Sequence, residues 1–228
     1  MNYSRGSLYY LMQPFWHTGL RANYAITDKI AINAMLVNGV NTLFENNKSP
    51  SVGAQIVLTP IDPLFFAVGY LGALNPNDDG EKASLFDNFF DVVATLTLGY
   101  FSMIANFDFN QYKTGGAPSE NWWGISVAPG YAFTNWFGAA ARVEYLSDSA
   151  NALFGMTTDK AQTIAAKDGK MFTLTGTLDF KPIPNSGALV LRPEFRYQMA
   201  SDYYFYNRED QATDKFWTVM LGAVVTSM

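Results

Sequence analysis

Residues 188 to 198 read ALVLRPEFRYQ, and they alternate: Arg192, Glu194, Arg196 and Gln198 fall at every second position, with Leu191, Pro193, Phe195 and Tyr197 between them. Successive side chains of a strand point to opposite faces, so the stretch predicts a strand with one charged side and one apolar side. Pro193 has no N–H to give to a ladder, so a local bulge or a missing hydrogen bond is expected there.

The same period of two recurs along the chain. HTGLRANYAI sets Leu20, Ala22 and Tyr24 against His17, Arg21 and Asn23, and SVGAQIVLT sets Val52, Ala54, Ile56 and Leu58 against Gly53 and Gln55. DVVATLTLGY places Val92, Ala94, Leu96 and Leu98 opposite Asp91, Thr95 and Thr97, and MIANFDFN places Ala105, Phe107 and Phe109 opposite Asn106, Asp108 and Asn110. FGAAARVEYL has Arg142 and Glu144 on one side and Ala141, Val143 and Tyr145 on the other. MFTLTGTLDF repeats this with Thr173, Thr175, Thr177 and Asp179 against Phe172, Leu174, Leu178 and Phe180. Strands are expected at 14–25, 29–39, 51–59, 63–73, 90–100, 103–112, 122–132, 136–146, 171–181, 188–198 and 216–226. Helical periodicity is scarce, the best candidate being TDKAQTIAAKDGK.

Which face turns inward decides the fold. In a soluble sandwich or barrel the polar face meets water and is usually rich in Lys and Glu. Here the polar face is mostly Gly, Ala, Thr, Ser, Asn and Gln with scattered opposite charges, and only 15% of the 228 residues are charged. Tyr24, Tyr70, Tyr100, Tyr131, Tyr145, Phe180 and Tyr197 stand near strand ends on the apolar face, where a membrane interface holds amphipathic rings. The arrangement expected is apolar outward to lipid and polar inward to a lumen, with a soluble ligand-binding β-barrel as the alternative. No run approaches the roughly 18 to 20 apolar residues of a membrane-spanning helix.

Connections alternate between short ones (AITDK, TPIDP, GYFS, AFTNW, KPIPNSG) and long ones such as NPNDDGEKASLFDN and MASDYYFYNREDQATDK. That asymmetry predicts short periplasmic turns and long extracellular loops. Eleven strands would leave an antiparallel barrel with one parallel seam, so NYSRGSLYYLM is read as a twelfth. The expected fold is therefore all-β: an antiparallel up-and-down transmembrane β-barrel of about 12 strands, range 10 to 14, occupying residues 1–228 as a single domain.

QPFWHTGLRANYAITDKIAINAMLVNGVN and SVGAQIVLTPIDPLFFAVGYLGA, with the later LRPEFRYQ and TVMLGAVV, resemble the OmpL-like porin-2 group of bacterial outer-membrane β-barrels, matching the C-terminal part of longer members. The resemblance implies an outer-membrane location and a channel, and it carries no active site. The N-terminus shows no secretory signal pattern, and the chain ends in VVTSM where such barrels commonly end in an aromatic residue. A removed leader, a fragment or an engineered chain is therefore expected.

Other function classes fare poorly. The net charge of −5 offers no basic surface for nucleic acid, and with no Cys there is no disulfide framework, thiolate metal site or Cys nucleophile. His17 is the only His, so a Ser-His-Asp arrangement would need it as base and an imidazole metal site would have one ligand. Asp78, Asp79 and Glu81 in NPNDDGEKAS could hold a divalent cation, but the spacing is not that of an EF-hand and a solvated loop is the plainer reading. No enzymatic activity, metal or cofactor is expected; the partners are a lipid bilayer and small hydrophilic solutes or ions. The expected pore-lining set is His17, Arg21, Asn23, Gln55, Asn106, Asp108, Asn110, Arg142, Glu144, Asp179, Arg192, Glu194, Arg196 and Gln198. A barrel of this size predicts a small or occluded pore, and the same charges could instead plug a non-conducting structural or engineered barrel.

Overall fold

The computed structural model describes residues 2–41, 43–44, 49–73, 88–112, 120–149, 168–183 and 188–226. A short helix, α1 (Ser7–Met12), is followed by β1 (Gly19–Ala25), β2 (Ile30–Val37), β3 (Ser51–Ile61), β4 (Leu64–Ala73), β5 (Asn88–Leu98), β6 (Phe101–Tyr112) and β7 (Glu120–Ala132). Then come β8 (Phe137–Asp148), β9 (Gly169–Phe180), β10 (Leu189–Ala200), β11 (Phe205–Tyr206), β12 (Ala212–Thr213) and β13 (Lys215–Val225). Eleven strands form one up-and-down sheet in the order β1 through β10 and then β13, while β11 and β12 pair separately in the connection between β10 and β13.

The strands fall where alternation placed them, within two residues at every boundary but one. The exception is the start of β1, at Gly19 rather than residue 14. The Asn41 side chain accepts the Phe15 and Trp16 amides at 2.6 and 3.3 Å, and its own amide donates to the Trp16 carbonyl at 3.0 Å, which takes these residues off the ladder.

The twelfth strand expected from NYSRGSLYYLM is not formed: Ser7–Met12 is helix. A short apolar run is compatible with either state, and here tertiary partners described below decide it. The loop NPNDDGEKAS, and most of YKTGGAP and of TDKAQTIAAKDGK, lie outside the described residues.

The residues cluster into two compact units, one of Met1–Leu11, Leu96–Ala105 and Ile125–Met228, the other of Met12–Thr95 and Asn106–Gly124. In each, the usual order of burial is reversed. In the first, Val219 and Leu221 are 67% and 72% exposed while Glu144 and Glu194 are 1% and 2% exposed. In the second, Leu20 is 76% exposed and Asp108 is fully buried. The apolar face of the sheet is its bare face, and the polar face is the covered one.

Register carries each residue type across the strands. On the polar face, Asn23 faces Asn33, which faces Gln55, which faces Gly69; Arg142 faces Thr175, which faces Arg196. The short connections are tight turns. Gly99, at φ +56°, occupies the left-handed region in the turn between β5 and β6. Thr134 Oγ1 accepts the Trp136 and Phe137 amides at 3.3 and 3.0 Å between β7 and β8. Pro60 sits where the β3–β4 register shifts by one residue between Leu58 and Ile61, which spares the ladder a missing donor.

Pro193 behaves differently. Its pairing with Leu221 on β13 is continuous, but on the β9 side the ladder passes from Leu191–Phe180 to Glu194–Thr177 with no change of register. The expected defect is thus a lapse in pairing rather than a bulge. Since a strand directs its N–H groups alternately to its two neighbours, the lapse on one side alone means that the prolyl nitrogen faces β9.

Aromatic rings gather at strand ends. Tyr131, Phe133, Phe137 and Phe180 form a chain with centroid spacings of 5.1, 5.5 and 5.1 Å around the β7–β8 turn. At the long-loop ends of β4, β5 and β6, Tyr70 meets Phe90 at 4.9 Å and Phe90 meets Phe109 at 6.4 Å. In the connection carrying DYYFYN, Phe205 stacks on Phe216 at 5.6 Å, a packing role.

Candidate functional site

In the first unit, the polar face of β8, β9 and β10 presents Arg142 and Glu144, then Thr173, Thr175, Thr177 and Asp179, then Arg192, Glu194, Arg196 and Gln198. Alternation puts all of them on one side, and antiparallel register stacks them in rows. Arg142 Nε donates to Glu144 Oε2 at 3.0 Å, and Arg192 Nε to Asp179 Oδ1 at 2.7 Å. The second pair lies beside Pro193, where the backbone ladder lapses.

Most of these groups are also engaged by the N-terminal segment, residues 2–8, while Arg196 Nε is buried with no hydrogen-bond partner among the described residues. The Glu194 carboxylate accepts the Tyr3 amide at 2.7 Å, the Ser4 amide at 3.2 Å, the Ser4 hydroxyl, and Thr177 Oγ1 at 2.5 Å. Arg142 Nη1 donates to the Ser4 carbonyl at 2.9 Å; Arg196 Nη2 donates to Ser4 Oγ at 2.6 Å and to the Arg5 carbonyl. Glu144 Oε1 accepts the Leu8 amide at 3.0 Å in the first turn of α1, where a negative charge is favourable. Gln198 reaches Ser7 Oγ at 3.2 Å, and Asn2 reaches Thr177 at 2.8 Å. A buried charge is costly unless it is paired and hydrogen-bonded, and here wall and segment supply each other's partners.

Close approach needs bare backbone at two points. A Cβ on Gly6 would lie 2.4 Å from Glu144 Oε1, and one on Gly222 would lie 2.4 Å from the Tyr3 ring. The segment is fitted to the wall.

In the second unit the polar face carries a row of amides. Asn23 Nδ2 donates to Asn33 Oδ1 at 2.7 Å, and Asn33 Nδ2 to Gln55 Oε1 at 2.9 Å. Across the same face, Asn106 Oδ1 accepts Gln13 Nε2 at 2.7 Å, and Asn106 Nδ2 donates to Asp91 and Asp108 at 2.8 and 3.1 Å. Of these, Gln13, Asn33, Gln55, Asp91 and Asn106 border a cavity of about 420 Å³, lined also by Arg21 and by His17, whose Nδ1 lies 3.3 Å from the Gly39 carbonyl.

The expected residues thus separate into two groups. His17, Arg21, Gln55 and Asn106 share the cavity, whereas Arg142, Glu144, Glu194, Arg196 and Gln198 share the N-terminal segment; Asp179 and Arg192 pair with each other. Asn23 joins the cavity wall through Asn33. Asp108 and Asn110 are buried on the β6 polar face and border neither directly. The expected set leaves out Asn33, Asp91 and Gln13; alternation puts Asp91 on the polar face and would put Asn33 there too. The amides of Tyr3 and Ser4 left no sequence signal, because the partner is backbone.

A sheet with a bare apolar face, a hydrogen-bonded polar face and aromatic rings at strand ends is built as a transmembrane β-barrel wall. The chain belongs to the family described as "Putative beta-barrel porin-2, OmpL-like", whose model matches residues 1–226. Its fold class is the all-β up-and-down outer-membrane barrel expected from the sequence, and its location is the bacterial outer membrane. Among solved structures it is similar to in-vitro folded OmpT, an outer membrane protein of Vibrio cholerae, at TM-score 0.57 and 15% identity, covering 89% of this chain and 62% of that one. It is likewise similar to the outer membrane channel DcaP of Acinetobacter baumannii, at TM-score 0.58 and 11% identity over 98% of this chain and 67% of that one. The chain therefore spans less than two thirds of OmpT. No curated protein sequence matches it.

Proposed function

We propose that the chain, as a single barrel domain, forms the wall of a passive diffusion channel for ions and small hydrophilic solutes, with no chemical step. The observation that carries this reading is the inverted burial: charged and amide side chains converge on the covered face while Leu20, Val219 and Leu221 stand bare on the other. Lining a water path is the use such a face has in a lipid-embedded sheet. Membership of a porin family supports the same reading, and the bare apolar face speaks against a soluble ligand-binding barrel. Planar-bilayer recording of the refolded protein tests it. Discrete conductance steps are expected; a correctly folded but silent barrel would overturn the reading.

The second reading, a plugged barrel, is favoured by one observation: residues 2–8 are bound to the wall charges that would otherwise face water. The two readings separate on Glu144→Gln/Glu194→Gln, which loosens the segment. A conducting channel should open wider from an already measurable level, whereas a plugged barrel should pass from silence to conductance.

A further inference from the structure

We infer that the 420 Å³ cavity on the polar face of β1 to β6 is a binding site for a small extended zwitterion, such as a di- or tripeptide with free ends. The volume is within the range of small-molecule sites, about 300 to 1,000 Å³. Its polarity is graded. At the β1–β3 end stand hydrogen-bond donors without protein acceptors: among the described residues the Arg21 guanidinium has no ion pair or hydrogen bond, and Gln55 Nε2 makes none either. The amide row explains the second vacancy. Each amide passes a donor to the next carbonyl, from Asn23 to Asn33 to Gln55, so the row ends on the unused N–H groups of Gln55.

Space is left for what those donors would meet. Gly69 is opposite Gln55 in the next strand, and the point where a Cβ would begin is 3.8 Å from Gln55 Nε2. At the other end of the cavity the Asn106 amide is saturated, its oxygen by Gln13 and its nitrogen by Asp91 and Asp108. Asp91, with Oδ1 taken by Asn106, lines the cavity at this end and gives it an acidic rim. A carboxylate suits Arg21 and Gln55, and an ammonium suits Asp91.

Length selects among zwitterions. Arg21 and Asp91 stand four strands apart, about 19 Å along the sheet at about 4.8 Å per strand. The long arginine side chain takes up part of that span, so a free amino acid is too short to engage both. An extended tripeptide, about 10 Å long, is of the right size.

The inference rests on the channel reading's placement of this face along the solute path, and the test separates the two. Calorimetric titration of the full chain in detergent micelles would compare triglycine with its N-acetylated, C-amidated and doubly capped forms. Triglycine is expected to bind at least 10-fold more tightly than any capped form. Arg21→Glu and Asp91→Lys should each weaken triglycine at least 10-fold, and the double reversal should restore it in the opposite orientation; heat-modifiable gel migration verifies that each variant is folded. Equal binding of all four peptides, no binding at all, or no rescue by the double reversal overturns the site. Bilayer recording of the same samples judges the channel independently: binding without conductance sinks the channel and keeps the site, and conductance with unselective binding does the reverse.

Discussion

Val143 and Glu144 are adjacent in β8, yet opposite rules govern them. Val143 is 42% exposed on the apolar face, and Glu144 is buried on the polar one. Val143→Arg should cost about 2 to 4 kcal/mol if its position lies near the bilayer midplane, measured by urea-dependent refolding into lipid vesicles. Cost near zero would mean that Val143 does not meet the hydrocarbon midplane. For the buried pair, Arg142→Met should cost about 3 kcal/mol, because it strands the Glu144 carboxylate with the Leu8 amide as its main remaining donor. Glu144→Gln should cost less, since the amide oxygen still accepts from Leu8. If both substitutions cost the same, the ion pair adds nothing beyond hydrogen bonding.

Among the elements, the N-terminal segment depends most on fit. Gly6→Val places a side chain where Glu144 Oε1 lies, so the segment should lift from the wall while the strands remain. Trypsin then reports it: cleavage after Arg5, whose carbonyl is held by Arg196, should accelerate on the order of 10-fold. Unchanged cleavage would show the segment already detached in solution. This element is also where sequence reading failed. Each strand advertised itself through a period of two repeated over about ten residues, but SLYYLM is too short for either periodicity to declare itself, and its helix is held by Glu144, 136 residues away. The charged wall residues were legible as one face because alternation alone assigns a face. What they bind was not legible, because most of their partners are the backbone groups of Tyr3, Ser4, Arg5 and Leu8, which every residue carries, and the rest are the common side chains of Asn2, Ser4 and Ser7. The cavity was half legible: Arg21 and Gln55 were on the right face, but only register brings Asn33 between Asn23 and Gln55.

For the molecule as a whole, the proposed channel reading makes charge along the polar face the determinant of ion preference. Arg192→Glu together with Arg196→Glu subtracts two charges at each site and takes the formal net charge from −5 to −9. Reversal potentials in a salt gradient should then shift toward cation selectivity. Because Arg192 is paired with Asp179 and Arg196 is engaged by Ser4 and Arg5, the reversal also breaks the ion pair and loosens the segment, so unitary conductance should rise as well. A shift in selectivity without any rise would mean that the segment keeps its place without Arg196.

The lapse in pairing at Pro193 has a consequence for how such a wall comes apart. With no prolyl N–H, the Leu178 carbonyl opposite it lacks its ladder donor, and in hydrocarbon no water replaces it. An unmet carbonyl of this kind costs about 1 to 3 kcal/mol. The β9–β10 boundary is then the line along which the wall unzips. Amide exchange at Gly176 and Leu178, whose N–H groups face β10, should outpace that at Thr177 and Asp179, whose N–H groups face β8 across an unbroken ladder. Pro193→Val should slow it by restoring the donor, and equal exchange at the two boundaries would show that the wall has no preferred line of opening.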